Sequence, residues 1–478
     1  MKIRFGWLFL LILAIGCSKD ITVIEDSLSS ELTIFFVNDQ HGQLDNFSKI
    51  KYIVEQEEQK TNVLIACSGD IFSGNPIVDN YPEKGFPIID VMNKVGFDIS
   101  VLGNHEFDYG EIVLKERMGQ AQFDWVCANV DMGSSGVPQP LEFKTIEVGG
   151  LKITFLGLIE TSGKQNPLTP LTHPGKVKNI VFIRPETVVS KYSSLKAQED
   201  ADLLVALTHL GHSGFNGFLG DFQLAEQFPF IDLIIGGHSN ELLDEVKSGV
   251  PIFQAGNRLE YLGKIRLSIN ERRVETVNYE LIDLNAYPNF DSELKSVIDD
   301  YNSSMPELDD VIGYSHNFHE RSLVGCFYAD ALRGQLNTDV SFQNSGGVRS
   351  VLDEGEISKR EIYEIDPFNN GTIVYTMTVE EIKTFLKESH GGYYYSGIHI
   401  EQMGDRVMIM DTTGSIIPDN TTTLSVGIND FIPAVHDNYF PESGMTTTLT
   451  TAETIISYLE SGNSQVDYPQ CSRFFKYK

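Results

Sequence analysis

Positive charge is scarce in this 478-residue chain: 36 lysines and arginines stand against 67 aspartates and glutamates, for a formal net charge of −31. Proteins that bind DNA or RNA need a basic surface to release counterions from the phosphates, so this balance argues against a nucleic-acid polymer as partner. A small phosphorylated ligand is compatible with it if metal ions make the site locally positive. Internal repeats and low-complexity segments are also lacking.

Cysteine is sparse as well, with five residues and none of the close-spaced pairs typical of a zinc knot. Cys67 and Cys127 lie in apolar, strand-like runs, where a free thiol packs as a small hydrophobic group. The sequence leaves open whether Cys326 and Cys471 form a disulfide.

Long apolar runs are absent except at the N-terminus, where a short basic start, MKIR, precedes FGWLFLLILAIGC. This run is too short and wrongly flanked for a stable membrane span and is typical of an export signal. Because it ends in Ala14-Ile15-Gly16-Cys17, it resembles a bacterial lipoprotein signal, residues 1–17, with Cys17 as the lipidated residue; an ordinary cleaved secretory signal is the alternative. Residues 18–30 would then tether the protein to a membrane through lipid alone, facing the periplasm or the cell exterior.

The length of the chain favours two domains. In the first, residues 31–288, apolar strands alternate with polar loops; the predicted strands are 32–37, 62–67, 98–103, 124–129, 152–159, 202–208 and 232–237. Continuous apolar runs indicate strands covered on both faces, and hence an α/β domain with its sheet between two layers. A linker helix within 289–307 leads to a second domain, 308–478, which combines a helix with several strands.

In an open α/β sheet, ligands collect beyond the carboxyl ends of the strands. Five strands here deliver polar residues to that edge: Asn38-Asp39-Gln40-His41-Gly42, Ser68-Gly69-Asp70, Gly103-Asn104-His105-Glu106, His209 and His238-Ser239-Asn240. A single histidine after a strand is usually an ordinary loop residue, but five such strand ends in register are improbable by coincidence. Asp and Asn oxygens with His nitrogens suit Zn, Mn, Fe or Co. Since a carboxylate can bridge two ions, the set predicts a metal pair about 3.5–4 Å apart that activates water and clamps a phosphoryl group.

Five segments, NDQHG, GDIFSG, GNHEFDYG, THLGH and GGHSN, resemble the metal motifs of the calcineurin-like metallophosphoesterases. GNHEFDYG and GGHSN are similar in particular to those of the 5'-nucleotidase and UDP-sugar hydrolase family, and FQNSGGVRS and DPFNN resemble its nucleotide-binding C-terminal domain. The resemblance covers residues 31–475. It implies an N-terminal β-sandwich flanked by helices (αββα), joined by a helix to a smaller α+β substrate-binding domain.

The resemblance also implies a ligand set and a catalytic pair. One metal would be bound by Asp39, His41 and Asn240, a second by Asn104, His209 and His238, and Asp70 would bridge them.

In the catalytic pair, His105 would stabilise charge on the phosphoryl oxygens or the leaving group, with Asp108 orienting it. On physical grounds, a histidine beside a carboxylate that fixes its tautomer is also a sensible general acid. Glu106 is interpreted as a structural hydrogen-bond acceptor, and His212 as a residue outside the ligand set.

In the second domain, the resemblance places Asn344 and Arg349 against the nucleotide, around a Gly346-Gly347 turn that lets the backbone approach a ligand. Arginine can fork onto an oxyanion or ribose hydroxyls.

Two aromatic rings of the family hold the base, and Phe431 matches one of them, with Tyr395 or Tyr393 expected as the other. Asp437 belongs to the loop that would seat the nucleoside.

This chain departs from the family at three places. Residues 435–439, VHDNY, replace a glycine-rich loop, Gly325-Cys326-Phe327 replaces Gly-Asn-Leu, and Phe318 and Arg321 stand near positions where the family has arginines. These changes put the grip on phosphate or ribose in doubt.

Together the motifs predict an extracytoplasmic dinuclear-metal phosphohydrolase, a 5'-nucleotidase acting on nucleoside 5'-monophosphates. The alternatives are a UDP-sugar hydrolase, a 2',3'-cyclic-nucleotide phosphodiesterase or another phosphoester hydrolase, all with the same metal site. A non-catalytic surface protein that captures nucleotides or metal is a more distant alternative, disfavoured because the full ligand set and the His105–Asp108 pair are intact.

Overall fold

A computed structural model of the chain describes residues 30–214, 217–270, 273–419 and 421–478. The predicted signal with Cys17, and residues 18–29 of the predicted tether, lie outside the described residues. Among the helices within these ranges, none combines the length and the apolar character needed to cross a membrane.

The N-terminal half is built from strands that alternate with short helices. Its strands are β1 (Ser30–Val37), β2 (Asn62–Cys67), β3 (Ile99–Val101), β4 (Asp124–Val126), β5 (Val130–Asp131), β6 (Phe143–Val148), β7 (Leu151–Ile159), β8 (Val181–Phe182), β9 (Leu203–His209), β10 (Leu233–Ile235), β11 (Leu242–Lys247), β12 (Val250–Ala255), β13 (Tyr261–Asn270) and β14 (Arg273–Asp283). Its helices are α1 (Phe47–Glu58), α2 (Pro76–Asp79), α3 (Phe86–Val95), α4 (Gly110–Gln120), α5 (Pro185–Val188), α6 (Leu195–Gln198) and α7 (Asp221–Gln227).

Two six-stranded sheets pack face to face in this half, with strand orders β14-β13-β1-β2-β3-β4 and β11-β12-β10-β9-β7-β6. Successive side chains of a strand point to opposite faces. In β1, Ile34 and Phe36 therefore enter the core between the sheets, while Phe35 and Val37 pack under α1 and α3. Both faces are covered, which explains why the strands are apolar throughout.

The C-terminal half follows α8 (Ser292–Asn302), whose Leu294 and Ile298 pack into the first half. Its strands are β15 (Val311–Ser315), β16 (Val340–Asn344), β17 (Gly355–Ser358), β18 (Gly371–Thr378), β19 (Gly392–Ser396), β20 (His399–Met403), β21 (Arg406–Met410), β22 (Thr423–Asn429), β23 (Met445–Thr450), β24 (Gln465–Val466) and β25 (Phe474–Lys476). Its helices are α9 (Arg321–Leu336), α10 (Lys359–Ile365), α11 (Val379–Glu388), α12 (Phe431–Val435) and α13 (Thr451–Glu460).

A mixed sheet of order β23-β18-β22-β16-β19-β25 forms the centre of the second half. Helices α9, α10 and α13 cover one of its faces, and α11 covers the other. A disulfide joins Cys326 in α9 to Cys471 near the C-terminus, and Cys67 and Cys127 are free and buried. The expected αββα sandwich joined to a smaller α+β unit is confirmed, whereas the domain boundaries stay predictions.

Candidate active site between the two halves

The ends of five strands, β1, β2, β3, β9 and β10, meet at one edge of the sandwich and carry the predicted metal ligands. Several of these residues adopt the left-handed backbone conformation that non-glycine residues avoid: Asp39 (φ 52°), His41 (51°), Asp70 (56°), His238 (78°) and Asn240 (59°). Such strain persists only where the surrounding structure enforces it, and it concentrates at functional sites.

Two groups of side chains at this edge could each hold a metal ion, and they share Asp70. One group is His41, Asp70 and His105, and the other is Asp70, His209 and His238, with the donor atoms of each group within 4.8 Å of one another. Asp70 is common to both groups, and its bridging role stays a prediction.

The remaining predicted ligands lie beside these groups. The carboxylate of Asp39 accepts the backbone N–H of His238 at 2.9 and 3.2 Å, and Asn240 Nδ2 lies 3.4 Å from Asp39 Oδ1. Asn104 Oδ1 lies 3.0 Å from His238 Nδ1. All seven predicted ligands are thus brought together. The group that contains His41 differs from the ligand set predicted for that metal, because it includes His105 and not Asp39.

The histidines are prepared for metal binding by their outer contacts. Nδ1 of His41 lies 3.1 Å from the Ser73 carbonyl, and Nδ1 of His209 lies 2.6 Å from the Ser68 carbonyl. A carbonyl holds the proton on Nδ1 and directs Nε2 inward. Nε2 of His41 is buried without a hydrogen-bond partner, and Nε2 of His209 lies 3.0 Å from Asp70 Oδ2. Burial lowers the pKa of His41 to about 3 and also lowers that of His238, which keeps both imidazoles in the neutral form that binds metal. The donor set therefore fits divalent ions.

Asp70 and His209 are held together by charge. Their side chains approach to 3.0 Å. Burial disfavours both ions, but the mutual attraction prevails: the pKa of Asp70 falls well below its usual range and the pKa of His209 rises to about 10. A cation bound beside Asp70 would displace the proton of His209, so metal affinity depends on pH.

The predicted catalytic pair is in contact. His105, in the 3-10 turn His105–Phe107, places Nδ1 2.6 Å from Asp108 Oδ2, and its Nε2 lies 3.8 Å from Asp70 Oδ2. Thr172 donates from Oγ1 to Asp108 Oδ1 at 2.9 Å and fixes the carboxylate from its other side. Sequence analysis missed Thr172, which lies in a loop without any motif.

Glu106 has the structural role expected for it. Its carboxylate accepts the backbone N–H groups of Asp70 at 3.0 Å, of Ile71 at 2.6 Å and of Gly103. A Cβ at Gly103 would lie 2.3 Å from Asp70 Oδ1, so this turn requires glycine. His212 stands outside both groups, its ring edge against Phe222 with centroids 5.6 Å apart.

A cavity of about 250 Å³ opens in front of the pair and is closed by the second half. The residues that the second half contributes to its wall are Asn344, Gly346, Gly347, Arg349, Phe368, Asn370 and Phe431. The cavity therefore joins the metal-binding edge to three of the predicted substrate residues, Asn344, Arg349 and Phe431.

Tyr395 and Tyr393 are outside this cavity, so the expectation that one of them stacks on the base is wrong. Strand β19 lies inside the sheet, between β16 and β25, and both rings pack into the core with Ile398, 4% and 2% exposed. Phe368 lines the cavity instead, with its ring stacked on His105 at a centroid distance of 5.8 Å and an interplanar angle of 21°. The DPFNN segment contained this residue, and Phe368 was overlooked there.

Asp437 is likewise outside the cavity. Its side chain is 59% exposed and accepts from Lys164 Nζ at 2.6 Å, so it contacts the other half and not the substrate space. Arg321 turns inward, donating from Nε to the Val348 carbonyl at 2.8 Å, whereas Phe318 is exposed. The substrate role of Asp437 stays a prediction, without a contact to this cavity.

Comparisons with known proteins match both halves. Residues 32–241 match the family model for calcineurin-like phosphoesterases, and residues 307–441 match that for the 5'-nucleotidase C-terminal domain. The 5'-nucleotidase of Vibrio cholerae is 25% identical, over 91% of this chain and 91% of its own length. The trifunctional nucleotide phosphoesterase YfkN of Bacillus subtilis is 26% identical over 86% of this chain, which spans only 32% of that relative.

A solved structure shows the same fold. The 5'-nucleotidase precursor from Thermus thermophilus superposes with a TM-score of 0.79, covering 93% of this chain and 98% of that one. At 21% identity, this likeness is evidence for the fold alone.

Proposed function

Since the chain belongs to the calcineurin-like phosphoesterases that carry a 5'-nucleotidase C-terminal domain, and is a metal-dependent phosphoester hydrolase, we propose that it releases phosphate from nucleoside 5'-monophosphates. The observation that carries the proposal is the cavity between the halves. Its wall combines Asp70 and His105 with Arg349 and two phenylalanines, so one ligand can touch a metal-binding edge, an anion-binding guanidinium and aromatic rings at once.

We assign the metal edge to two divalent ions, Zn, Mn, Fe or Co, which the two residue groups that share Asp70 would hold. Such ions would supply Lewis-acid chemistry for water and phosphoryl oxygens. His105, held by Asp108 through Nδ1, keeps Nε2 directed at the same space and can hold or transfer a proton there. Burial opposes the imidazolium, but the carboxylates of Asp70 and Asp108 raise the pKa of His105 above its usual value.

The dimensions and lining of the cavity support a small nucleotide. Ligand sites commonly measure about 300–1,000 Å³, and this cavity of about 250 Å³ is of the size expected for a small ligand. Phe368 and Phe431 offer ring faces, and stacking on a ring is worth about 1–3 kcal/mol per base and tolerates different bases. Asn344 and Arg349 add polar contacts for phosphate or ribose.

We further propose that the protein acts outside the cytoplasm, lipid-anchored through Cys17 in a bacterial cell envelope. The leader sequence supports this, and so does the Cys326–Cys471 disulfide, because such bonds persist in oxidising compartments.

Phosphate release from a substrate panel tests the function. Purified protein would be given AMP, GMP, UMP, ATP, UDP-glucose, cyclic nucleotides and p-nitrophenyl phosphate, with Mn²⁺, Zn²⁺ or a chelator. We expect rapid, chelator-sensitive release that favours the monophosphates. Preference for UDP-glucose or a cyclic nucleotide would indicate a different substrate for the same class of enzyme. Nucleotide binding without any release of phosphate would favour a non-catalytic binding protein.

A further inference from the structure

Residues 160–176, here called the linking loop, follow β7 and touch both halves of the protein. Glu160 at the start of the loop is buried, and its carboxylate accepts the Leu171 N–H at 2.5 Å and the N–H and hydroxyl of Ser162 at 2.5 and 2.6 Å. These bonds tie the far part of the loop back to its base. The linking loop is therefore a defined structural element.

Toward the first half, the linking loop orients two site residues. Thr172 Oγ1 donates to Asp108 Oδ1 at 2.9 Å, and the Leu171 carbonyl accepts from Asn104 Nδ2 at 3.1 Å. The second bond fixes the amide of Asn104 so that its Oδ1 faces His238, 3.0 Å from Nδ1. A displacement of the loop would therefore disturb both the catalytic pair and the metal edge.

Toward the second half, the same loop uses two lysines. Lys164 Nζ donates to the Ala434 carbonyl at 3.1 Å and to Asp437 Oδ2 at 2.6 Å. Lys176 Nζ donates to the Phe368 carbonyl at 2.8 Å. The partners of Lys164 lie outside the cavity wall, whereas Phe368, the partner of Lys176, is part of it.

The contact of Lys176 is partly buried and surrounded by carboxylates. Burial lowers its pKa, while the carboxylates of Asp108, Asp430 and Asp366 favour the charged form. A cation in this setting is costly unless it is paired and hydrogen-bonded, so its bond to a carbonyl has a large effect on where the partner sits.

Phe368 connects the hydrogen bond of Lys176 to the cavity. Its ring is stacked on His105, and the guanidinium carbon of Arg349 lies 5.8 Å from the ring centroid. The backbone position of Phe368 decides where the ring lies, and the Lys176 bond fixes that backbone.

We propose that Lys176 is a positioning residue for the substrate: by binding the Phe368 carbonyl across the boundary between the halves, it sets the ring against which the nucleoside packs. The inference rests on the nucleotidase activity proposed above. It makes the linking loop the element that ties the orientation of Asp108 to the position of one wall of the substrate space.

The test compares Lys176→Met with Lys176→Arg, and with Lys178→Met as the matched control at an exposed lysine two residues further on. Each Mn²⁺-loaded protein is assayed with AMP and with ribose 5-phosphate, which has no aromatic ring to stack, and adenosine is titrated as a competitive inhibitor that lacks phosphate. Misplacing one stacking ring should raise the KM for AMP and the inhibition constant of adenosine about tenfold in Lys176→Met. The control and Lys176→Arg should stay within about threefold of the unchanged protein.

Two further results decide whether Lys176 acts through Phe368. With ribose 5-phosphate, kcat/KM of Lys176→Met should change less than about twofold, and adding Lys176→Met to Phe368→Ala should have little further effect on AMP, since the ring is already gone. Equal losses on both esters, or a full effect in the Phe368→Ala background, would overturn the inference. Unchanged AMP kinetics in Lys176→Met would overturn it too, whereas no AMP hydrolysis by the unchanged protein would overturn the proposed function.

Discussion

Asp221 is a buried carboxyl group that packs next to the metal-binding edge, and its titration can be tested. Its carboxylate is fully buried at the start of α7, accepting from Thr208 Oγ1 at 2.6 Å and from Gln254 Nε2 at 3.2 Å. Thr208 directly precedes His209, and Asp221 Oδ2 packs against Gly236, two residues before His238. Burial raises the pKa of Asp221 from 3.8 to about 7.

The sign of the effect on stability follows from this shift. Between the two pKa values the folded protein keeps a proton that the unfolded chain has lost, so the stability conferred by Asp221 is complete at low pH and is lost as the pH rises toward about 7. One pKa unit corresponds to about 1.4 kcal/mol. From about pH 5 to about pH 8, the unchanged protein should therefore lose about 3 kcal/mol relative to Asp221→Asn, which cannot titrate.

Urea unfolding of both metal-free proteins at several pH values measures this difference, with Trp125 in β4 as the fluorescent reporter of the N-terminal half. Taking the difference between the two proteins cancels the other titrating groups. If both lose stability in parallel over this range, Asp221 is ionised throughout and the reasoning from burial is wrong.

Three other changes test the site itself. Asp70→Ala should abolish phosphate release and lower the Mn²⁺ content measured by atomic absorption, because both metal groups include this residue; normal activity with added metal would refute the shared-ligand assignment. Asp108→Asn should lower kcat about 100-fold and move the alkaline limb of the pH–rate profile to lower pH, since Asp108 helps to raise the pKa of His105. Phe431→Ala should raise the KM for AMP by roughly fivefold to 150-fold, the range equivalent to about 1–3 kcal/mol of stacking, and should spare ribose 5-phosphate, which has no aromatic ring; equal effects on both esters would contradict a stacking role.

The metal edge could be predicted from the sequence because its residues obey a local rule. Each follows an apolar strand directly, and parallel strands present their carboxyl ends at one edge. The structural role of Glu106 could also be predicted, since a carboxylate three residues after Gly103 in a tight turn has backbone N–H groups close by. Continuous apolar runs likewise indicated strands covered on both faces, as the sandwich has.

The substrate side could not be predicted equally well, because its contacts join distant parts of the chain. The bond from Thr172 to Asp108 spans 64 residues and the bond from Lys176 to Phe368 spans 192, and neither leaves a local pattern. Tyr395 was misjudged for a different reason: aromatic residues in a strand look the same whether the strand borders a cavity or, like β19, lies inside a sheet covered on both faces.

The left-handed backbone conformations at the metal edge lower the stability of the fold. Residues forced into sparsely populated conformations cost about 1–3 kcal/mol each, so the five left-handed residues at the strand ends together cost about 5–15 kcal/mol, as much as the net stability of a typical domain. Part of this cost is offset locally, because Glu106 accepts three N–H groups of the strained turns and Asp39 accepts that of His238. The buried groups that hold these turns are therefore as necessary to the site as the ligands they position.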